Sequence, residues 1–180
     1  MKLIEIFTDG ACSQNGTWEG GWGFYIKTDA IGVMGYELKT TNNRMELTAV
    51  IRGLRTAIFN QKANLEIEEA IEPFLEKPLA LLRIIIYTDS SYVANAYNKK
   101  WIVNWKRNGW KNSKKETVKN KDLWEELDEI VSKKDARYTI EFVKVKGHSG
   151  VEGNEIADTL ATTAIKKKLV EPMLIFIEPK

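Results

Sequence analysis

The chain alternates between short apolar runs and longer amphipathic stretches, a pattern typical of α/β domains. Apolar runs bounded by turn residues predict strands at 3–7, 22–27, 31–38, 81–87 and 138–145. Apolar positions at intervals of three and four predict a helix at 43–59. Four further stretches are predicted to be helical: 90–98, 100–106, 121–133 and 153–168. This order predicts one mixed sheet, in which the later strands are joined through helices by right-handed crossovers.

The composition narrows the class of protein. The chain has 180 residues, of which 43% are hydrophobic and 29% are charged, as in a single globular domain with a real core. No apolar run approaches the roughly 20 residues that span a bilayer, and the first residues do not resemble a signal peptide. A single cysteine, Cys12, excludes an internal disulfide framework and predicts a cytoplasmic protein. Because His148 is the only histidine, any metal centre must be built from carboxylates.

Positive charge is concentrated in one stretch. Residues 99–121 contain nine Lys or Arg and one Glu, whereas the whole chain has a net charge of +2, so the remainder is acidic. A basic segment on an acidic body predicts a surface that docks a polyanion. Trp101, Trp105 and Trp110 are interleaved with it and are suited to stacking on bases or sugars. The alternatives are a solvated helical face for the charges and a core position for one of the tryptophans.

Two predicted strands end in the same way, with Thr8-Asp9-Gly10 and Thr88-Asp89-Ser90. If these strands are parallel neighbours, both aspartates emerge at the carboxyl edge of the sheet, where α/β proteins form their sites. The alternatives are a turn role for Asp9 and a helix N-cap role for Asp89. The repeated context favours a shared site.

Two further acids fall on predicted helices. Glu46 lies at the edge of an apolar stripe, although its spacing from Asn43 also fits a capping box. Asp158 shares a helical face with Ala161 and Ile165, where an unpaired carboxylate is costly. Four converging acids cannot all stay ionised without a cation, so hard divalent ions are expected. Two such ions about 3.5–4 Å apart are the usual machinery of phosphoryl displacement, which predicts a metal-dependent nuclease.

Ordered motifs run along most of the chain, from about residue 2 to residue 165. They are TDGAC at 8–12, GGWG at 20–23, TNNRMEL at 41–47, TDS at 88–90, KGHSG at 146–150 and NEIAD at 154–158. In this order and spacing they resemble ribonuclease H of type 1, the bacterial ribonuclease HI group. The stretch 104–124 resembles the basic protrusion of that family.

The resemblance implies an α/β fold with a five-stranded mixed sheet, three antiparallel strands followed by two parallel ones, flanked by helices and carrying a basic protrusion. It implies an endoribonuclease that hydrolyses the RNA strand of RNA–DNA hybrids with two Mg²⁺ ions, or Mn²⁺ in their place, leaving 5′-phosphate and 3′-hydroxyl ends.

The resemblance also assigns roles to residues by motif position. The metal-binding catalytic acids are Asp9, Glu46, Asp89 and Asp158, and His148 is the histidine that assists proton transfer or product release. The expected minor-groove contacts are Cys12, Asn15, Asn42 and Asn43, and the expected pocket for a DNA phosphate is made by Thr41 and Asn120. The other expected substrate contacts lie in the basic protrusion: Trp101, Trp105, Lys106, Arg107, Trp110 and Lys119.

Three features depart from the family pattern. Ser91 stands where many members carry a substrate-contacting glutamine. The ribonuclease H domain, assigned to residues 1–168, contains an insertion at about 60–81, and the extension 169–180 has no counterpart. The apolar segment 173–177 predicts a tail that folds back on its own chain, as an added strand or against the insertion. The alternative is an exposed peptide that docks on a partner protein.

The chain is expected to act as a monomer on RNA–DNA hybrids and not at a membrane. Two other functions are open at this point: a non-catalytic module that binds hybrids or double-stranded RNA, and a DNA-processing enzyme of the same superfold such as an integrase. The four acids together with His148 disfavour the first. The basic protrusion and the stretch 41–47 disfavour the second.

Overall fold

The structure is a computed structural model that describes residues 2–13, 18–71, 82–132 and 138–178, with side chains described up to residue 61 in the first helix. Its strands are β1 (Lys2–Cys12), β2 (Gly20–Ile26), β3 (Ile31–Glu37), β4 (Leu82–Thr88), β5 (Tyr138–Lys144) and β6 (Met173–Phe176). Its helices are α1 (Asn42–Ile71), α2 (Ser91–Asn98), α3 (Trp101–Arg107), α4 (Lys121–Ser132) and α5 (Glu152–Lys167), with a 3₁₀ turn at Lys27–Asp29.

The strands form one mixed sheet in the order β5-β4-β1-β2-β3-β6. The β1-β2-β3 meander is antiparallel, and β4 and β5 are added in parallel beside β1. The prediction of five strands is wrong by one, because β6 pairs antiparallel with β3. The sixth strand is formed by the C-terminal extension, which confirms the hypothesis that the tail folds back as an added strand.

β1 continues past the predicted strand end, and this changes the position of Asp9. This strand was expected at 3–7 and ends only at Cys12, since β1 stays paired with the glycine-rich β2 up to the pair Cys12 and Gly20. The parallel pairing with β4, by contrast, ends at Thr8 and Thr88. Asp9 therefore lies inside β1 but directly beyond the end of the parallel ladder.

The first helix is longer than the apolar stripe predicted. It was expected to end near residue 59 and extends to Ile71, because residues 60–71 include the strong helix formers Gln, Lys, Ala, Leu and Glu and no Gly or Pro. The first half of the predicted insertion at 60–81 thus continues α1, whereas residues 72–81 lie outside the described residues. The domain boundaries at 168 and 169 stay a prediction.

The sheet is covered on both faces. On one face α1 buries the largest apolar cluster, which includes Ile6, Phe24 and Leu54. On the other face α5 crosses β1, β2 and β3. A Cβ atom on Gly23 would lie 2.6 Å from the Cβ of Leu160, so glycine in β2 is what allows α5 to approach this closely. None of the described helices is long and apolar enough to cross a membrane.

The two faces of β6 differ in burial, which provides a test of its contribution. Ile175 faces α5 and packs with the cluster of Met34, Leu160 and Ala164, whereas Phe176 is 79% exposed. We expect Ile175→Ala to lower the free energy of unfolding by about 1–3 kcal/mol. The control Phe176→Ala should change it by less than about 0.5 kcal/mol. Urea denaturation measures both; equal effects would show that β6 is not packed as described.

Candidate metal and active site

Asp9 and Asp89 meet because the ladder between β1 and β4 ends just before them. The hydroxyl of Thr88 accepts a hydrogen bond from the amide of Ser90, and Ser90 is the N-cap of α2, with its side chain accepting from the amide of Val93. Ser90 therefore performs the capping role considered for Asp89. The Asp89 carboxylate is left free for the site.

Glu46 is brought to the same place by the first turn of α1. The turn is closed by Thr41, whose carbonyl accepts from the amides of Arg44 and Met45. The capping box considered for Asn43 is thus not needed to start the helix. Gly10 lies against the backbone of Met45 and Glu46, so closely that a Cβ atom there would overlap both residues. This contact between β1 and α1 sets Glu46 beside Asp9.

Three carboxylates converge in this way. One oxygen from each of Asp9, Glu46 and Asp89 lies within 4.8 Å of the other two. Asp9 and Glu46 are only 7% and 5% exposed. Asp158 on α5 borders the cluster, since its side chain shares a hydrogen bond with Asp9. The four acids predicted from the sequence therefore lie together.

The environment of the cluster disfavours the charged forms of its carboxyl groups. Burial, the charge of Asp89 and the contact with Asp158 raise the pKa of Asp9 well above its ordinary value, although the Gly10 amide opposes this. Burial and the charges of Asp9 and Asp89 likewise raise the pKa of Glu46. Without a cation the cluster thus favours protonated acids.

The donor set fits hard divalent cations. Glu46 Oε1 accepts a hydrogen bond of 3.3 Å from the Asn42 side chain, but Glu46 Oε2 is buried without a hydrogen-bond partner among the described residues. A buried carboxylate oxygen without a donor is costly, and a bound cation removes that cost. Carboxylate oxygens are the ligands that Mg²⁺ and Mn²⁺ prefer.

The loop between β5 and α5 closes one side of the site. A Cβ atom on Gly147 would lie 2.5 Å from Asp89 Oδ2, so glycine lets the loop approach the cluster. Gly150 has a φ of 79° and donates its amide to Glu155 on α5. His148 is exposed between these two anchors. The predicted histidine is therefore at the rim of the cluster.

One buried residue of the site had no role in the sequence analysis. Asn154 on α5 is 2% exposed, and its Nδ2 lies 3.5 Å from Asp89 Oδ2 while its Oδ1 has no partner among the described residues. A signal was present: Asn154 is four residues before Asp158, on the same inward face of the helix.

Comparisons with known proteins agree with this geometry. A sequence profile of the family described as RNase H matches residues 1–166. The ribonuclease H of Acetivibrio thermocellus is 41% identical over 169 residues, which are 93% of this chain and 97% of that protein. The ribonuclease H of Chlorobium luteolum is 43% identical over 170 residues, covering 93% of this chain and 99% of that protein.

The chain belongs to the ribonuclease H family.

Solved structures extend the likeness to the fold. LC9-RNase H1, described as a type 1 RNase H with the type 2 active-site motif, has a TM-score of 0.68 and 26% identity, and the match covers 94% of this chain and 74% of that one. LC11-RNase H1, solved in complex with an RNA/DNA hybrid, has a TM-score of 0.58 and 21% identity over 92% of this chain and 98% of that one, which supports the fold alone. The chain is thus a type 1 ribonuclease H, a nuclease.

Of the residues predicted to read the minor groove, Cys12, Asn42 and Asn43 lie near the start of α1, beside the acidic cluster. Asn42 and Asn43 are exposed in the first turn of α1, and Thr41, which belongs to the predicted phosphate pocket, is exposed directly before them. Cys12 ends β1 with its Sγ 3.7 Å from the Thr40 carbonyl. Asn15 lies outside the described residues.

Asn120, one of the two residues of the predicted phosphate pocket, contacts a tyrosine that the sequence analysis did not single out. Asn120 precedes α4 with a φ of 58° and lies beside Tyr92 of α2, Nδ2 to Oη 3.5 Å. The Tyr92 hydroxyl donates to the Lys119 carbonyl at 3.0 Å and accepts from Trp124 Nε1 at 2.8 Å.

A second contact ties α4 to the first turn of α1. Arg44 donates to both carboxylate oxygens of Asp122, at 3.0 and 2.7 Å. This pair and the Tyr92 contacts fix the segment of Lys119 and Asn120 relative to the first turn of α1, which also carries Glu46.

The basic stretch is more integrated with the core than its composition suggests. Trp101, Trp105 and Trp110 are half-buried and pack against the main apolar cluster, and the Trp105 ring lies edge-on to Trp124 at 5.5 Å. They are therefore not the fully exposed stacking platforms that the sequence analysis considered. Lys106 forms an ion pair of 2.6 Å with Asp128, which compensates its charge.

Other cations of the stretch face solvent. The exposed basic side chains are those of Lys99, Lys100, Arg107, Lys111, Lys114, Lys115 and Lys119. The role of this surface as the basic protrusion stays a prediction.

The raised pKa of Asp9 predicts how stability depends on pH in EDTA. Folded Asp9 keeps a proton that the unfolded chain loses above about pH 4, so the free energy of unfolding should fall as the pH rises from 5 to 8. Asp9→Asn should make this slope shallower and raise the metal-free stability at pH 8 by about 1–3 kcal/mol. Thermal melts at several pH values measure both effects.

Asp122→Asn is the matched control, because Arg44 lowers the pKa of Asp122. The stability that Asp122 contributes is lost as the pH falls, so its removal should not flatten the decline above pH 5. The same slope in the wild type and in Asp9→Asn would contradict the electrostatic description of the cluster.

Proposed function

We propose that this chain is an endoribonuclease that hydrolyses the RNA strand of RNA–DNA hybrids, leaving 5′-phosphate and 3′-hydroxyl ends. The observation that carries the proposal is the convergence of Asp9, Glu46 and Asp89, bordered by Asp158, in a chain of the ribonuclease H family. LC11-RNase H1, which shares the fold, was solved with such a hybrid bound.

The four acids would hold two divalent ions, Mg²⁺ or Mn²⁺. When bound, such ions activate the attacking water and neutralise charge that develops on the phosphate and on the leaving oxygen. The buried carboxylates of Asp9 and Glu46 supply negative charge in a position that water screens poorly. Asn42 and Asn154 orient Glu46 and Asp89 by donating side-chain amide hydrogens to their oxygens.

His148 assists the reaction from the rim. Its imidazole nitrogen accepts or donates a proton near the scissile phosphate, or helps the product leave; the approach of the neighbouring Gly147 to Asp89 supports this role. The acids and their ions provide most of the rate enhancement, so His148 has a supporting role.

The duplex is recognised at three places: its minor groove, one phosphate of the DNA strand, and more of the backbone along the basic segment. Cys12, Asn15, Asn42 and Asn43 contact the shallow minor groove, where short amide groups can hydrogen-bond to 2′-hydroxyls. Thr41 and Asn120 bind a phosphate of the DNA strand, and the contacts of Tyr92 and Arg44 hold this pocket in place. The basic segment then binds more of the backbone through Arg107, Lys119 and their exposed neighbours, with Lys106, Trp101, Trp105 and Trp110 at its base.

We also propose that the enzyme acts in the cytoplasm as a monomer. The single cysteine favours the cytoplasm, and the self-contained site favours a monomer. Because β6 is paired with β3, the tail does not need a protein partner to order it.

The decisive experiment compares cleavage of matched RNA–DNA, RNA–RNA and DNA–DNA duplexes, with Mg²⁺ and with EDTA. We expect cleavage of the RNA strand of the hybrid alone, and only with the metal.

Asp89→Asn should reduce kcat by at least about 10³-fold, since it removes a ligand charge from the cluster. Glu141→Gln, a substitution of an exposed acid on β5 that pairs with Arg83, is the control that should stay active. Equal cleavage of all three duplexes, or activity of Asp89→Asn near the wild-type rate, would refute the proposal.

The exposed cations predict a separable binding defect. Replacing Arg107, Lys114 and Lys115 by alanine should raise KM several-fold and leave kcat within about twofold, because these side chains meet phosphates and not the reacting centre. The slope of log Kd against log salt should fall by about 2–3.

The control removes Lys166 and Lys167 instead, two exposed cations at the end of α5. That variant should keep the wild-type salt slope. If the variant lacking Arg107, Lys114 and Lys115 keeps the wild-type salt slope, the basic stretch does not bind the duplex and is only a solvated surface.

A further inference from the structure

The six tryptophans of the chain all lie in described segments, and one of them differs from the rest. Trp22 and Trp124 are buried, and Trp101, Trp105 and Trp110 pack against the main core. Trp18 is 61% exposed. An indole left in water is unfavourable unless it contacts a binding partner.

The backbone at Trp18 is held in a conformation that this residue type disfavours. Its φ is 51°, in the left-handed region where glycine is preferred. The Thr40 amide donates to the Trp18 carbonyl at 3.0 Å, and the Ser13 amide donates to the Glu19 carbonyl at 2.7 Å.

The next residue is anchored through its side chain as well. Glu19 Oε1 accepts hydrogen bonds of 2.8 Å from the hydroxyl of Tyr36 and from the ammonium of Lys168. The indole of Trp18 is therefore presented to solvent by a fixed backbone.

Trp18 lies on the rim that carries the expected minor-groove contacts. Its hydrogen-bond partner Thr40 is the neighbour of Thr41, and the Thr40 carbonyl is the same group that Cys12 Sγ approaches at 3.7 Å. Glu46 follows on the first turns of the helix that begins at Asn42. A duplex bound beside Cys12 and Asn42 would therefore lie close to Trp18.

We propose that Trp18 is a further substrate contact, whose indole packs against the sugars at the edge of the minor groove of a bound RNA–DNA hybrid. This inference rests on the proposed function. Sugars offer apolar C–H faces to an indole at every nucleotide, so the contact adds affinity without sequence preference. The disfavoured φ is maintained because it aims the ring at the duplex.

Fluorescence tests the contact without any turnover. In an Asp89→Asn background, which prevents cleavage, the difference in emission between the parent and its Trp18→Phe derivative isolates Trp18. We expect acrylamide to quench this emission strongly in the free protein and several-fold less once a hybrid is bound. Quenching that is unchanged by saturating hybrid would overturn the proposal.

Binding and stability measurements separate recognition from folding. Trp18→Ala should raise the Kd and KM for the hybrid about 5- to 50-fold with kcat nearly unchanged, and Trp18→Phe should restore most of the affinity. Trp18→Gly should bind as weakly as Trp18→Ala but melt no lower than the wild type, because glycine accepts a positive φ. Phe59→Ala, which removes another exposed aromatic ring, is the control and should bind like the wild type.

The outcomes distinguish this inference from the function on which it rests. If Trp18→Ala binds like the wild type while the Arg107, Lys114 and Lys115 variant is weakened, the duplex docks without Trp18 and the inference is wrong. If the wild type neither binds nor cleaves the hybrid, the proposed function itself fails.

Discussion

The convergence of three carboxylates, those of Asp9 and Glu46 buried and that of Asp89 partly buried, is the constraint on which the rest of the structure depends. Burial and like charge raise the pKa of Asp9 and Glu46, so the cluster opposes folding at neutral pH until a cation is bound. The fold holds the acids together nonetheless, through the end of the parallel ladder and through the contact of Gly10 with α1. The feature that disfavours the metal-free cluster, closely spaced carboxylates with little access to water, is also the one that suits it to a divalent cation.

Residues around the cluster support the acids, some by direct contact and some from farther away. Asn42 and Asn154 touch the acids directly, and Gly147 admits the loop that carries His148. Farther out, the bidentate pair of Arg44 with Asp122 joins the helix that bears Glu46 to the segment with the exposed cations. Under the proposed function, this link would help to keep the spacing between the acidic cluster and the phosphate-binding surface constant, which a duplex substrate of regular geometry requires.

The added strand β6 has its own consequence for the sheet. It moves the open edge from β3 to a four-residue strand, and Pro172 stands directly before it. A short edge strand next to a proline offers little backbone for pairing with another chain. Ile175 joins the core on the α5 side, while Leu174 and Phe176 remain exposed on the other. The extension thus contributes to the domain without enclosing the active site.

The sequence by itself determined five strands, five helices and the four acids, because periodicity and motifs are local properties, and the family resemblance supplied the arrangement of three antiparallel and two parallel strands. Only the tertiary structure decided that Ser90 caps α2, that Asp9 lies within β1 and that the tail pairs with β3, since each depends on which segments meet. It also decided which tryptophan faces solvent: Trp101, Trp105 and Trp110 pack on the core, whereas Trp18 does not. Burial is set by contacts between distant segments, and neither composition nor spacing records those contacts.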